Sequence, residues 1–411
     1  WPSGITWNTG AAPTIVTSTT FYTTTTQVFN LSTPDGGTTW YGYEEVAPGA
    51  KVFELYSWGY SQYSGQVGDN SRTNYSSPKQ IPGTTWAGVR QSSKTFRMAV
   101  RTDGTLWTWG SNDNGRLGQL ISYPGLNGMS SPAQIGSGTD WSYQPDESSI
   151  GSRNGAAIKT DGTLWSWGQN SYGQIGNNTR FSPGNNGYSS PVQVPGTTWS
   201  KIKIGDAQML ALKTDGTLWA WGSNSYGQLG QNNQTHRSSP TQIPGSSWSK
   251  ITGTGTLAAI RTDGTLYTWG YNQSYGQLGH NNKTNYSSPK QVPGTTWKDV
   301  SSSPGHTLAV KTDGTLWSWG RNEYGMLGQD NTTEYSSPKQ VGSGTDWDHI
   351  SAGTYSSYAL KTDGQLWVWG RGNSGSLGIG DNTNYSSPKQ IPGNWAYVEG
   401  TSYGGYALKN T

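Results

Sequence analysis

The chain has 411 residues, a net charge of +3, 59 glycines, 22 tryptophans and no cysteine. The missing cysteine excludes disulfides, zinc–thiolate sites and a cysteine nucleophile. No apolar run approaches the roughly 20 residues that span a bilayer, and charged residues make up only 12% of the chain, with no concentrated basic stripe of the kind nucleic-acid binders carry. Aromatic residues at 12% argue against disorder, because disordered chains lack the surface that could offset ordering entropy. Glycine-rich turns between short aromatic runs point to an all-β fold. The chain opens at Trp1 without an initiator Met or a signal peptide, which reads as a processed product or a part of a longer chain.

Residues 1–46 stand apart from the rest. "TQVFNLSTPDGGTTWYGYEEV" is an alternating run, an Asp-Gly-Gly turn and a second alternating run, which predicts a β-hairpin. Residues 47–411 are a repeat: Trp-Gly recurs at Trp58, Trp109, Trp167, Trp221, Trp269, Trp319 and Trp369, seven copies about fifty residues apart. Around each copy the unit reads W-x-x-I/V, A-L-K-T-D-G, L-W-x-W-G, Y-G-Q-L-G, a polar loop and S-S-P-x-Q-I/V.

Each part of the unit reads as a strand or a turn. "ALKTDGTLWSWG" is two runs joined by Asp-Gly, predicted to form a type I′ hairpin turn at Asp103, Asp161, Asp215, Asp263, Asp313 and Asp363. In Leu316-Trp317-Ser318-Trp319 the alternation sends both tryptophans to one face. "SSPKQV" carries its proline at the strand start, where a missing N–H is tolerated, and W-x-x-I supplies a fourth strand. Four antiparallel strands per unit make one propeller blade. The chain stops at "YALKNT", where a T-D-G turn should follow, while the first Trp-Gly lacks a good "ALKTDG" before it. One blade is therefore completed by both ends, which removes two exposed sheet edges. The expected architecture is a seven-bladed β-propeller with four-stranded blades closed by both termini, plus a small N-terminal β module. Nineteen of the tryptophans fall at three repeated positions, so blade-to-blade packing accounts for them.

The unit "GHTLAVKTDGTLWSWGRNEYGMLG" resembles the repeat of the regulator of chromosome condensation family, in the style of its bacterial and viral members. The resemblance covers roughly residues 50–411 and implies a seven-bladed propeller. The family's usual histidine before the A-L strand is present only as His306; Phe96, Asn154, Gln208, Thr256, Ser356 and Gly404 replace it in the other copies. The N-terminal phrases Ile5-Thr6-Trp7, Gly10 to Thr14 and Thr33 to Gly42 are similar to short β modules of tail-fibre-like virion proteins of tailed phages.

Chemistry-bearing residues are sparse. His236, His280, His306 and His349 show no metal-ligand spacing; His306 reads as a packed strand residue and the other three as loop residues. Each turn aspartate follows a Lys or Arg by two residues, as Lys213 precedes Asp215, which reads as a weak hairpin salt bridge. Y-G-Q-L-G lacks the Lys-Ser/Thr of a phosphate loop, so its glycines read as turns with positive φ. Loops such as "GQDNTTEY" could offer oxygens to Ca²⁺ but read better as solvated turns. No catalytic residue, metal site or cofactor is expected, and the chain is read as a non-enzyme.

Specificity is sought where the repeat breaks. The loops 119–129 and 177–188 are the long ones, in successive units, and a further irregularity follows Trp141. The candidate contact residues are Tyr123, Leu126, Asn127, Met129, Arg180, Phe181, Asn185, Asn186 and Tyr188, of the adaptable types common in binding loops. Neutral loop lengthening is the alternative. Together with the N-terminal resemblance, this predicts a virion-surface or tail-fibre-associated protein of a tailed phage, with other virion proteins or a host-surface glycan as partners. Neither nucleic-acid binding nor membrane insertion is expected, and a fibre setting would imply a trimer. A secreted or cell-surface bacterial adhesion propeller is the second reading, and a chromatin-type regulatory scaffold the third.

Overall fold

The structure, a computed structural model, describes residues 28–32, 41–45, 54–62, 64–83, 86–91, 96–119, 128–142, 148–151, 153–181, 187–253, 256–401 and 404–409. The chain divides into two compact units, Trp1–Val52 and Phe53–Thr411. In the first, Val28–Ser32 pairs antiparallel with Tyr41–Glu45, the two runs expected to form a hairpin. Its connecting residues 33–40 lie outside the described residues, as do the phrases around Trp7 and Pro13.

The second unit is a seven-bladed propeller of four-stranded antiparallel sheets. Blade 5 shows the pattern: an inner strand Trp297–Ser302, a second strand His306–Lys311, a third Leu316–Gly320 and an outer strand Tyr335–Gln340. Blades 1 to 6 follow in chain order from Trp86 to Ile391, and blade 7 joins Trp395–Gly400 and Gly404–Lys409 to Glu54–Gly59 and Tyr75–Gln80. The C-terminal strand thus pairs with the first propeller strand, Leu408 opposite Leu55 and Tyr406 opposite Ser57.

Strand alternation gives each blade a tryptophan face and an aliphatic face. Trp297, Val300, Ala309 and Trp319 of blade 5 pack on Ala258, Ile260 and Leu266 of blade 4. On the other side, Leu308, Val310 and Leu316 pack against Trp347, Ile350 and Trp369 of blade 6. The seven Trp-Gly tryptophans are buried, and Trp319 is fully so. Its indole N–H donates to the Gln277 carbonyl of the preceding blade at 2.9 Å. The final glycine of Y-G-Q-L-G lets that carbonyl come close: Gly279 has φ +80°, and a Cβ there would lie 2.8 Å from the Trp319 indole nitrogen.

Three local expectations are corrected. The T-D-G connection is not a type I′ turn, because only its glycine has positive φ, as at Gly104 (+76°). Gly104 N–H bonds the Arg101 carbonyl and Arg101 N–H bonds the Thr105 carbonyl, a type I turn followed by a left-handed glycine. The aspartate keeps negative φ while its carboxylate accepts from the amide and hydroxyl two residues on; Asp215 Oδ1 accepts from Thr217 N–H at 2.9 Å and Oγ1–H at 2.6 Å. Those bonds hold its carboxyl below the ordinary value, with Lys213 adding a smaller pull. The lysine itself lies over two rings, its Nζ 4.9 Å from the centre of Trp199 and 4.7 Å from that of Trp219, so the expected hairpin salt bridge gives way to cation–π packing. Finally, the S-S-P proline sits inside the outer strand. In blade 5, Gly320 pairs with Tyr335 and Ser318 with Lys339, so Pro338 falls in the irregular stretch where its missing N–H costs no ladder bond.

The framework histidine position behaves as expected. His306 is fully buried, with Nε2 2.8 Å from Ser357 Oγ and Nδ1 3.0 Å from Ser303 Oγ. Ser357 Oγ donates to the Met326 carbonyl, so Nε2–H is the donor in the His306 pair. Burial first, and then Arg321, push its pKa down to about 3, and the ring is neutral.

Candidate binding face

The turns of the T-D-G type lie at one end of the propeller. The loops between inner and second strands, and between third and outer strands, lie at the other, and both sets of irregular loops belong to this loop face. Tyr123, Leu126, Asn127, Asn185 and Asn186 lie outside the described residues, as does much of the segment after Trp141. Met129 and Tyr188 begin the outer strands of blades 1 and 2. Met129 packs against the hydrophobic clusters on both sides of its blade. Tyr188 stacks against Phe181 with ring centres 5.1 Å apart, and its hydroxyl accepts from Asn177 at 2.8 Å. Tyr75 and Tyr385 hold the same strand position and bond Asp69 and Asp381. Tyr188 therefore closes its own turn by the device its repeats use, and Arg180 and Phe181 are the described residues that belong to the long loop alone. Arg180 lies near His236, whose pKa is lowered by burial and then by that guanidinium.

The Asn/Asp turns use their own oxygens. Asn233 Oδ1 accepts from Thr235 N–H at 2.9 Å and Asp381 Oδ1 from Thr383 N–H at 2.8 Å. Among the described residues no group of three or more His, Asp or Glu could hold a metal ion.

Two arrangements escape sequence reading. The first lines the central channel, a cavity of about 330 Å³ bounded by inner-strand residues of blades 2 to 7. The third residue of the W-x-x-I strand breaks the repeat as Lys201, Lys250, Asp299, His349 and Tyr397. Lys250 Nζ lies 2.7 Å from Asp299 Oδ1, and His349 Nδ1 lies 3.7 Å from Oδ2. His349 Nε2 is 3.0 Å from the Val398 carbonyl, its ring stacks on Tyr397 at 4.6 Å, and the Tyr397 hydroxyl donates to Glu399 at 2.7 Å. Burial alone would raise the Asp299 carboxyl, but His349 and Lys250 hold it below its ordinary value. His349 is thus an inner-strand residue, which corrects its assignment to a loop. Such a chain of paired groups fastens four neighbouring blades.

The second lies on the loop face. The tyrosine of Y-G-Q-L-G is 40% exposed at Tyr172 and 46% at Tyr226, the exposed large apolar side chains among the described residues. Tyr226 packs edge-on against Tyr271 at 4.9 Å. Further round, the residue after Trp-Gly becomes arginine, and the two arginines alternate with rings. The Arg321 guanidinium lies 5.0 Å from the rings of both Tyr275 and Tyr355; that of Arg371 lies 5.3 Å from Tyr355 and 5.1 Å from Tyr324. Arg321 pairs with Glu323. Arg371 has no carboxylate at ion-pair distance among the described residues, and its buried Nε has no hydrogen-bond partner. The signal was present in the sequence as Ser, Gln, Ser, Tyr, Arg, Arg and Tyr at one repeat position, but only the ring brings residues fifty apart into one row.

A profile of the RCC1-like domain matches residues 144–407. The ultraviolet-B receptor UVR8 of Arabidopsis thaliana is 29% identical over 211 residues, 48% of this chain and 43% of that protein. The mitochondrial RCC1 domain-containing protein RUG3 of the same plant is 30% identical over 187 residues, 43% of this chain and 40% of its own length. In the human E3 ubiquitin-protein ligase HERC2 the matched stretch, 31% identical over 141 residues, is 3% of that protein. The chain therefore spans less than half the length of these relatives. Human WBSCR16 superposes with a TM-score of 0.76 at 20% identity, covering 88% of this chain and 99% of that one. Prp20p of Saccharomyces cerevisiae does so with a TM-score of 0.73 at 19%, covering 88% and 92%. These structures share the fold, and the profile match over most of the propeller places this chain in the RCC1-like domain family.

Proposed function

We propose that the chain is a non-catalytic binding propeller of a tailed-phage virion, associated with its surface or tail fibre. In this reading the loop face meets a host-surface glycan or a neighbouring virion protein. The observation that supports binding is the division of labour among the aromatics: the tryptophans serve blade packing, while exposed tyrosines and the irregular loops share one face. The N-terminal phrases supply the link to virions. The test is electron microscopy of purified phage particles labelled with an antibody raised against residues 177–188. Label at the tail tip supports attachment and label on the capsid supports decoration. Unlabelled particles beside labelled bacterial surfaces would replace this reading with the secreted adhesin.

A further inference from the structure

We propose that the row Tyr275–Arg321–Tyr355–Arg371–Tyr324 on the loop face of blades 4 to 6 binds a carboxylated saccharide chain, through its guanidinium groups and the tyrosine rings beside them. The inference rests on the binding-face reading above and names its ligand.

Each guanidinium lies 5.0–5.3 Å from the centres of two tyrosine rings, which restrict where it can move; a terminal nitrogen of Arg321 already meets Glu323, while Arg371 meets no carboxylate among the described residues. A planar, pre-oriented fork suits a two-oxygen anion, and the ordering cost has been met in the folded state. Arg371 has no carboxylate partner among the described residues, so an incoming carboxylate would supply one; Arg321 is already occupied by Glu323. One guanidinium free of a carboxylate among several rings calls for a ligand with sparse charge.

The surroundings point the same way. Lys283 on this face sits 3.6 Å from Glu334, and the whole chain carries only +3. A polyphosphate would require several uncompensated cations along its track. The half-buried tyrosines present apolar ring surface and a phenolic hydroxyl together, which suits the mixed C–H and O–H surface of a pyranose. Tyr226 and Tyr271, a blade away, extend the ring surface along the same rim for further sugar units.

The experiment is calorimetric titration of the full chain with an oligouronate, the same oligosaccharide after carboxyl reduction, a sulfated oligosaccharide and a single-stranded DNA oligomer. The expected result is binding of the oligouronate at least about tenfold tighter than its reduced form and than the other two. Arg371→Gln should remove that preference, and Arg371→Lys should recover only part of it, since a point charge lacks the fork. Unchanged thermal unfolding of both variants would show that folding is not the cause. Equal binding of acidic and reduced sugars, preference for sulfate or DNA, or no binding at millimolar ligand would overturn the proposal. Label on virus particles without uronate binding would leave the virion role standing and this site refuted; uronate binding by a protein absent from virions would do the reverse.

Discussion

At the scale of single residues, repetition lets one side chain stand for seven. Trp319 fills the gap between blades 4 and 5 and caps the Gln277 carbonyl, so Trp319→Ala should cost about 3–5 kcal/mol, read as a lowered melting temperature. An unchanged melting temperature would contradict the packing role. His306 gives a pH prediction. Its pKa is about 3 in the folded chain against an ordinary 6.5, so the unfolded state binds the proton more readily between those values. The stabilisation is whole above pH 6.5 and drains away as pH falls towards 3, at up to about 1.4 kcal/mol per unit. His280, lowered to about 4 by burial and Lys290, acts in the same direction, as does Asp299 below the ordinary aspartate range. Urea titrations at pH 4 to 6.5 should therefore show stability rising with pH, and His306→Gln should flatten that slope by about one proton.

At the scale of elements, the seams on either side of blade 7 differ from the others. The third residue of the second strand is aliphatic in blades 1 to 5 but Tyr358 and Tyr406 in blades 6 and 7. The Tyr358 hydroxyl lies 2.8 Å from the Ser376 carbonyl and 2.9 Å from that of Gly404, so it ties blade 6 to the C-terminal strand. Tyr406 reaches the Gln66 carbonyl and meets Arg97 of blade 1. Where the chain itself does not link the strands of the closing blade, buried tyrosines add polar ties. Tyr358→Phe should lower stability by about 1–3 kcal/mol, because the single hydroxyl proton that the two buried carbonyls share is lost. Deleting residues 404–411 should do more: Glu54–Gly59 keeps Tyr75–Gln80 but loses its partner on the inner side, and size-exclusion chromatography should show aggregates in place of a monodisperse peak.

At the scale of the whole molecule, the ring separates two ends. The T-D-G end repeats one hydrogen-bond pattern in blades 1 to 6, whereas the loop end carries the long irregular loops. Replacing 177–188 with the short loop 231–237 should abolish attachment to the binding surface while leaving thermal unfolding within error. Asp313→Asn at the opposite end should leave attachment unchanged. Cell-binding or particle-association assays on the two variants distinguish the faces, and equal effects from both would sink the assignment.

By itself the sequence determined the blade number, the strand pairs and the closure by both ends, because these follow from a fifty-residue period and from two-residue alternation, both local properties. It misjudged the T-D-G turn, since φ at the aspartate is decided by a hydrogen bond to the threonine two residues on. It assigned Lys213 to Asp215 because they are near in sequence, whereas the indole rings of Trp199 and Trp219 offered a better neighbour. Only the tertiary structure decided which residues of different blades meet. Lys250, Asp299, His349 and Tyr397 follow one another about fifty residues apart, and closing the sheets into a ring turns that sequence distance into contact, just as it brings Arg321 and Arg371 to the same Tyr355 ring.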